Sequence, residues 1–243
     1  MNWDYARHYS RFHPDTPDHD VSLQVMLRRW LGPHLPADRE ANVLDVGCGR
    51  GYALMLLRDL GYKQIAGIDP DAGQVDFAQR RGLPVSRASD SAASLRARPA
   101  SYDLVLLMDV LEHLPDATQC DLLTAIHESL RPGGRLICTV PNAASAVASY
   151  WRYVDYTHQT AFTRESLEFL LSQCHWRVDR IEPAEFFARP RFLFWLPTQR
   201  AIQWWLLRLE RLRWRFAYLA ELGLDRGWDV PLSQNLLAVA TRE

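Results

Sequence analysis

The chain of 243 residues contains no charge-free apolar run near the roughly 20 residues that a membrane-spanning helix needs. The opening Met1-Asn2-Trp3-Asp4-Tyr5-Ala6-Arg7 also lacks the apolar stretch of a secretory leader, so the expected compartment is the cytoplasm. Charge of one sign is missing too. With 28 Lys and Arg against 29 Asp and Glu the net charge is −1, which leaves no basic surplus for DNA or RNA, and no nucleic-acid partner is expected. The four cysteines, Cys48, Cys120, Cys138 and Cys174, form no C-x-x-C pair and read as reduced core residues rather than a disulfide framework or a zinc site. There is no internal repeat and no low-complexity tract. A length of 243 residues is within what one α/β core can fill.

Against these absences stands Val43-Leu44-Asp45-Val46-Gly47-Cys48-Gly49-Arg50-Gly51, an apolar strand ending in a three-glycine turn that opens a helix. Gly47, Gly49 and Gly51 can adopt backbone angles closed to other residues and keep side chains away from a bound ligand. The helix starting beyond Gly51 points unpaired N–H groups at the same space. About twenty residues on, Gln64-Ile65-Ala66-Gly67-Ile68-Asp69-Pro70 reads as a second strand ending in a carboxylate, the place where doubly wound folds hold ribose hydroxyls. The glycine pattern is G-x-G-x-G rather than the dinucleotide G-x-G-x-x-G. Asp45 argues against a phosphate ligand and suits the ammonium group of an adenosyl-sulfonium cofactor.

Further along, strand-like runs alternate with helix-like segments, the pattern of a parallel sheet covered on both faces. Strands are expected near 43–47, 64–69, 84–88, 102–108, 134–140, 175–182 and 234–241. The segment Asp116 to Leu130 places Leu122, Leu123, Ile126 and Leu130 at helical spacing before the stop signal Pro132-Gly133-Gly134. Thr163 reads as the cap of a helix whose buried stripe is Leu167, Leu170 and Leu171.

Four segments in order, DVGCGRG, GIDPD, Tyr102-Asp103-Leu104-Val105-Leu106-Leu107-Met108-Asp109-Val110-Leu111-Glu112-His113-Leu114 and Leu130-Arg131-Pro132-Gly133-Gly134-Arg135-Leu136-Ile137, resemble the class I S-adenosylmethionine-dependent methyltransferases. The resemblance runs from Val43 to Trp176 and is strongest to the ubiquinone-type and small-molecule O-methyltransferases. It implies a Rossmann-like α/β fold, a doubly wound, mainly parallel sheet of seven strands, with S-adenosyl-L-methionine as cofactor. It places Asp45, Gly47 and Gly49 at the methionine end, Asp69 on the ribose and Met108 near the cofactor at the end of the fourth strand. Gly51 completes the turn. After the third strand the chain departs from the family pattern: Ala88-Ser89-Asp90-Ser91 replaces a Gly-Asp-Ala run, and the adenine contact falls to Asp90 or Ser91.

Methyl transfer to oxygen requires the protein to position the acceptor and help remove its proton. Asp109, Glu112 and His113 follow the fourth strand at spacing i, i+3, i+4, which on a helical turn shares one face. They could hold a divalent metal such as Mg2+ that acidifies the acceptor hydroxyl. Without metal, His113 is a general base or a structural hydrogen-bond donor. In Asp155-Tyr156-Thr157-His158-Gln159, His158 is an alternative base with Asp155 to orient it, or else a loop-capping histidine. Asn142 contacts the acceptor or closes a Pro-Asn turn.

The expected organisation is an N-terminal helical lid over 1–40, a cofactor-binding core over 41–184 and 232–243, and an Arg/Trp-rich helical insertion over 185–231. Tyr5 and Tyr9 are lid candidates or ordinary packing aromatics. From Arg189 to Arg215 there are seven arginines against one acid, and Trp195, Trp204, Trp205, Trp214 and Trp228 lie in or beside the insertion. A helical wheel puts Ile202, Trp205, Leu206, Leu209, Leu212, Phe216 and Leu219 on one face, interrupted by Arg213, with Arg200, Arg208, Arg211 and Arg215 grouped apart. Residues 189–227 then either meet an anionic membrane surface at the inner face or pack on the enzyme or on a second subunit. The expected activity is O-methylation of a lipophilic or lipid-linked small molecule, a quinone-pathway phenol or a glycan. The rivals are a soluble O-methyltransferase with a dimerising arm and a non-catalytic cofactor-binding module that recruits a partner protein.

Overall fold

The computed structural model describes residues 9–186 and 198–243. The apolar segments become strands β1 (Val43–Val46), β2 (Ile65–Asp69), β3 (Val85–Arg87), β4 (Tyr102–Met108), β5 (Leu130–Pro141), β6 (Arg177–Ala184) and β7 (Asn235–Thr241), in sheet order β3-β2-β1-β4-β5-β7-β6. The first five are parallel, and β7 runs antiparallel to both β5 and β6. Chain order reverses on either side of β1, so the carboxyl ends of β1 and β4 flank the crevice where open α/β sheets bind ligands.

Helices α1 (Pro17–Leu31), α2 (Tyr52–Asp59), α3 (Ala72–Arg80), α4 (Ser91–Arg96), α5 (Asp116–Ser129), α6 (Ala148–Val154), α7 (Arg164–Gln173) and α8 (Gln199–Asp229) complete the described residues, with short 3-10 turns at Gly32–His34 and Leu111–His113. Strand alternation divides the core. Val105 and Leu107 of β4 pack with Leu123 and Ile126 of α5 and Leu167 and Leu171 of α7, whereas Leu104 and Leu106 pack on the other face with Leu54 and Leu57 of α2 and Leu31 of α1. Thr163 caps α7 as its sequence foretold: Ser166 N–H donates to Thr163 Oγ1 at 3.2 Å and Thr163 N–H to Ser166 Oγ at 2.9 Å. One boundary differs. Leu130 ends no helix but begins β5 by pairing with Tyr102 across a register shift, four residues ahead of the expected strand.

The N-terminal segment lies against the core: Gln24 Nε2 donates to the Tyr52 carbonyl at 2.9 Å and Trp30 Nε1 to that of Glu185 at 3.0 Å. Tyr5, Trp195 and Arg189 fall outside the described residues, as does the side chain of Arg200. The arm α8 breaks at Gly223, whose φ of 83° no helix residue shares. Beyond the break Gly227 lies so close to the Tyr218 and Leu219 backbone that a Cβ would meet it at 2.5 Å. Arg211 makes a two-pronged ion pair with Glu185, both contacts 2.6 Å, and Arg215 donates to the Gly227 carbonyl at 2.6 Å. Arg211 therefore faces the body, Arg215 braces the arm's own end, and Arg208 stays exposed. Ile202, Trp205, Leu206, Leu209, Leu212 and Phe216 stand 46 to 63% exposed, while Leu219 is half-buried. No helix among the described residues is long and apolar enough to cross a membrane.

Candidate active site

The glycine turn adopts the angles its composition allows, with φ of 70°, 51° and 76° at Gly47, Gly49 and Gly51. A Cβ on Gly47 would sit 2.5 Å from Val110 Cγ2, and one on Gly51 2.4 Å from Leu83 Cδ1. At Gly49 the nearest atom is the Tyr9 hydroxyl at 3.5 Å, so the N-terminal segment covers the turn. Arg50 holds that segment by donating to the His13 carbonyl at 2.6 Å.

Two carboxylates flank the turn. Asp69 Oδ2 accepts the Gly49 N–H and Oδ1 the Asp71 N–H, each at 2.8 Å. Asp45, 2% exposed, has an Oδ1 with no hydrogen-bond partner. Burial, reinforced by the Asp69 charge, raises its carboxyl to about 7. A buried acceptor without a donor costs about 1–3 kcal/mol. The ammonium of a bound amino acid would supply donor and countercharge together, so these residues fit an adenosyl-methionine cofactor. Asp90 is the exposed N-cap of α4, its Oδ1 accepting from Ala93 N–H at 2.9 Å. Half-buried Met108 ends β4 beside the crevice.

Beyond β4 the expected helical turn is absent. Asp109 takes a left-handed φ of 53°, and Leu111–His113 forms a 3-10 turn. The spacing rule presumed continuous α geometry, which the backbone reversal at Asp109 breaks. Asp109 Oδ1 accepts from Thr139 Oγ1 and Asn235 Nδ2, both at 2.8 Å, and its residue stays exposed in the crevice. Glu112 turns inward, 1% exposed, with Oε2 unpartnered. Burial and the charges of Asp109 and Asp155 push its carboxyl well above the ordinary range.

The two distant motifs meet here. The main chain at Glu112 accepts from Gln159 N–H at 2.6 Å, and the His113 carbonyl accepts from Gln159 Nε2 at 2.8 Å. These bonds bring the rings of His113 and His158 to a 4.6 Å centroid distance in an edge-on arrangement. One ligand atom each from Glu112, His113 and His158 lies within 4.8 Å of the others. Burial, then the neighbouring His158, lowers His113 to about 4, so its imidazole is neutral at pH 7. Burial alone would raise Asp155, but the Thr157 hydroxyl and N–H together with the two histidines hold it below its usual value. Asp155 reaches His113 through Thr157, while the His158 ring is oriented by the Trp151 carbonyl. Asn142 is a clamp: its Nδ2 donates to the Pro231 and Ser233 carbonyls and its Oδ1 accepts from Ala144 N–H.

Sequence reasoning passed over Thr157, Gln159, Thr139 and Asn235. Thr157 was recoverable, since its hydroxyl sits between the two residues singled out in that motif. Asn235 carries no local signal because its partner is 126 positions away.

A methyltransferase domain family matches residues 19–180. A protein of Mycolicibacterium smegmatis described as a probable S-adenosylmethionine-dependent methyltransferase is 32% identical over 124 residues, 51% of this chain and 44% of the relative. A ubiquinone biosynthesis O-methyltransferase of Cereibacter sphaeroides is 34% identical over 104 residues, 41% of each chain. The aligned segment thus spans under half the length of these curated relatives. The crystal structure of a SAM-dependent methyltransferase from Archaeoglobus fulgidus superposes with a TM-score of 0.68 at 21% identity, covering 98% of this chain and 100% of that one, a likeness of fold.

Proposed function

The chain belongs to the family of S-adenosylmethionine-dependent methyltransferase domains, and on that premise we propose that it methylates an oxygen of a lipophilic or lipid-linked small molecule, a quinone-pathway phenol or a glycan, at a membrane surface. The carrying observation is the apolar stripe of α8, six large side chains about half exposed, of which Trp205, Leu209 and Leu212 share with Arg208 and Arg211 a cavity against Pro183 and Glu185. Such a stripe suits the boundary between headgroups and acyl chains, and Arg208 beside it suits anionic lipid. The likeness to ubiquinone O-methyltransferases supports oxygen as the methylated atom.

In this reading Asp45 would hold the ammonium of S-adenosyl-L-methionine, Gly47, Gly49 and Gly51 would line its methionine portion, Asp69 would take the ribose and Asp90 the adenine, with Met108 beside the cofactor. Of the expected units, the described part of the 1–40 lid, residues 9–40, would close over it, 41–184 with 232–243 would form the core, and the described part of the 185–231 insertion would be the membrane-facing arm. The acceptor hydroxyl enters between the sulfonium methyl and the group Glu112, His113, His158. As the C–O bond forms, the methyl–sulfur bond breaks and S-adenosylhomocysteine leaves as a neutral thioether. The proton departs by one of two chemistries open to these atoms. Either an imidazole Nε2 accepts it directly, with Asp155 steadying His113 through Thr157, or a divalent ion held by these side chains acidifies the hydroxyl. Asp109 stands at the edge of that group, where Mg2+ would draw on it together with Glu112 and His113.

The test is transfer of labelled methyl from S-adenosylmethionine to phenolic quinone precursors and lipid-carried sugars, with and without anionic vesicles. Product that depends on the vesicles supports the reading. Turnover of a water-soluble phenol indifferent to vesicles favours the soluble enzyme with a dimerising arm. Cofactor binding with no methylated product across both acceptor classes favours the recruitment module.

A further inference from the structure

Between the arm and the body lies a cavity of about 580 Å3, walled by α8, by Arg164 and Pro183, and by the returning segment 228–233. That volume suits one small organic ligand. Four arginines, Arg164, Arg208, Arg211 and Arg215, line it against two acids. Both acids are engaged: Glu185 takes both prongs of Arg211 at 2.6 Å, and exposed Asp229 stands 3.7 Å from Arg164. Arg208 has no ion pair among the described residues, and its guanidinium rests over the Trp204 ring, 5.1 Å from the centroid. The Nε atoms of Arg164 and Arg211 are buried with no acceptor. Like charges gathered with donors to spare leave this wall short of one thing, oxygens that carry negative charge.

The rest of the lining is apolar except for Ser233, whose hydroxyl already donates to the Asn235 carbonyl at 2.6 Å. No free hydroxyl or side-chain amide is there to meet a sugar ring or the edge of a base. We propose that this cavity binds a phosphate ester on an aliphatic chain, the phosphate among Arg164, Arg208 and Arg215 and the chain along Trp205, Leu209 and Leu212. A phosphate monoester carries about two negative charges near neutral pH, matching the surplus of two cations over acids. Its three outer oxygens take guanidinium forks from several sides, where a carboxylate has two oxygens to offer. Pro231 and Ser233, in the cavity lining, are the residues that Asn142 grips, and Asn235 just beyond holds Asp109, so the site adjoins the wall of the crevice. That the bound ester is the carrier end of a lipid-linked acceptor rests on the membrane-surface reading; the site itself does not.

The experiment is calorimetric titration of the full-length protein with octyl phosphate, with inorganic phosphate and 1-octanol as the head and the chain alone. One equivalent of octyl phosphate should bind, about tenfold or more tighter than either half. Arg208→Gln removes a cation that no acid of the chain uses and should weaken octyl phosphate by about tenfold. Arg213→Gln, on the same helix but outside the cavity lining, should leave the affinity unchanged. Circular dichroism and thermal melting report whether each variant folds, and the three ligands on wild type decide the matter if Arg208→Gln does not. Inorganic phosphate as tight as octyl phosphate, wild-type affinity in Arg208→Gln, equal losses in both variants, or no stoichiometric binding to folded wild type overturns the proposal. Vesicles of phosphatidylcholine with phosphatidic acid, added to the octyl phosphate complex, identify the source. Displacement assigns the site to a membrane headgroup, and no displacement keeps it for a carried acceptor. Octyl phosphate binding by a protein that does not sediment with anionic vesicles removes the membrane-surface reading alone, and sedimentation without octyl phosphate binding removes this site alone.

Discussion

Asp69 accepts the Gly49 N–H at 2.8 Å, so the acid that ends β2 fastens the glycine turn that ends β1. The same carboxylate takes the Asp71 N–H, which makes it a turn constraint as well as the ribose ligand proposed above. Asp69→Ala should abolish measurable S-adenosylhomocysteine binding while the domain stays folded, with stability lowered by about 1–3 kcal/mol from the donors left unpaired. Calorimetric titration and thermal unfolding check the two effects separately. Unchanged affinity removes the ribose assignment.

Asp45 links cofactor binding to pH. Its carboxyl sits near 7 in the folded protein, above its ordinary 3.8, so the fold binds this proton more tightly than the unfolded chain does. The resulting stability is complete below the unfolded value and disappears as pH rises through about 7. An arriving ammonium reverses the preference and expels the proton. At about pH 6, binding of S-adenosylhomocysteine should release close to one proton, seen as a heat that changes with buffer ionisation enthalpy; at about pH 8.5 the release should vanish. Asp45→Asn should remove the buffer dependence, and a buffer-independent heat for the wild type at the lower pH would defeat the assignment.

Gly47 faces Val110 so closely that Gly47→Ala should lower stability and cofactor affinity together. The left-handed backbone contributes about 1–2 kcal/mol, and the added methyl would press on Val110 Cγ2 at 2.5 Å. Val110→Ala should restore part of the loss in the double variant, because only the overlap, not the backbone angle, depends on that side chain. Purely additive effects in a double-mutant cycle would show that the overlap relaxes at no cost.

On α8, Trp205→Glu and Leu209→Glu should leave the melting temperature within about two degrees, since surface substitutions change stability by about 0.5 kcal/mol or less. The same changes should remove sedimentation with anionic vesicles. Equal sedimentation of wild type and variants counts against membrane contact, and a change in oligomeric state on mutation assigns the stripe to a second subunit.

Strands β1, β4 and β7 were legible because burial on both faces writes continuous apolar runs, and six of the seven strands begin within two residues of their expected starts. The cofactor crevice was legible because glycine at left-handed positions and an acid at a strand end are local demands. The polar group opposite was only half legible. Glu112 and His113 were visible as neighbours, but their union with His158 depends on the loop after α6 folding back through Gln159, a long-range pairing that no periodicity records. The wheel for α8 likewise identified an apolar face but not its direction. Arg211 finds Glu185 across 26 residues, and that ion pair turns Arg211 inward.

The clamp made by Asn142 ties the arm's root to the crevice. The chain leaving α8 passes through Pro231 and Ser233, both gripped by Asn142, and enters β7 at Asn235, which holds Asp109. Five residues, 230–234, separate the last residue of α8 from that asparagine. The lever that reaches outward is anchored in the wall of the acceptor crevice, so a load on the arm arrives where the substrate oxygen would sit.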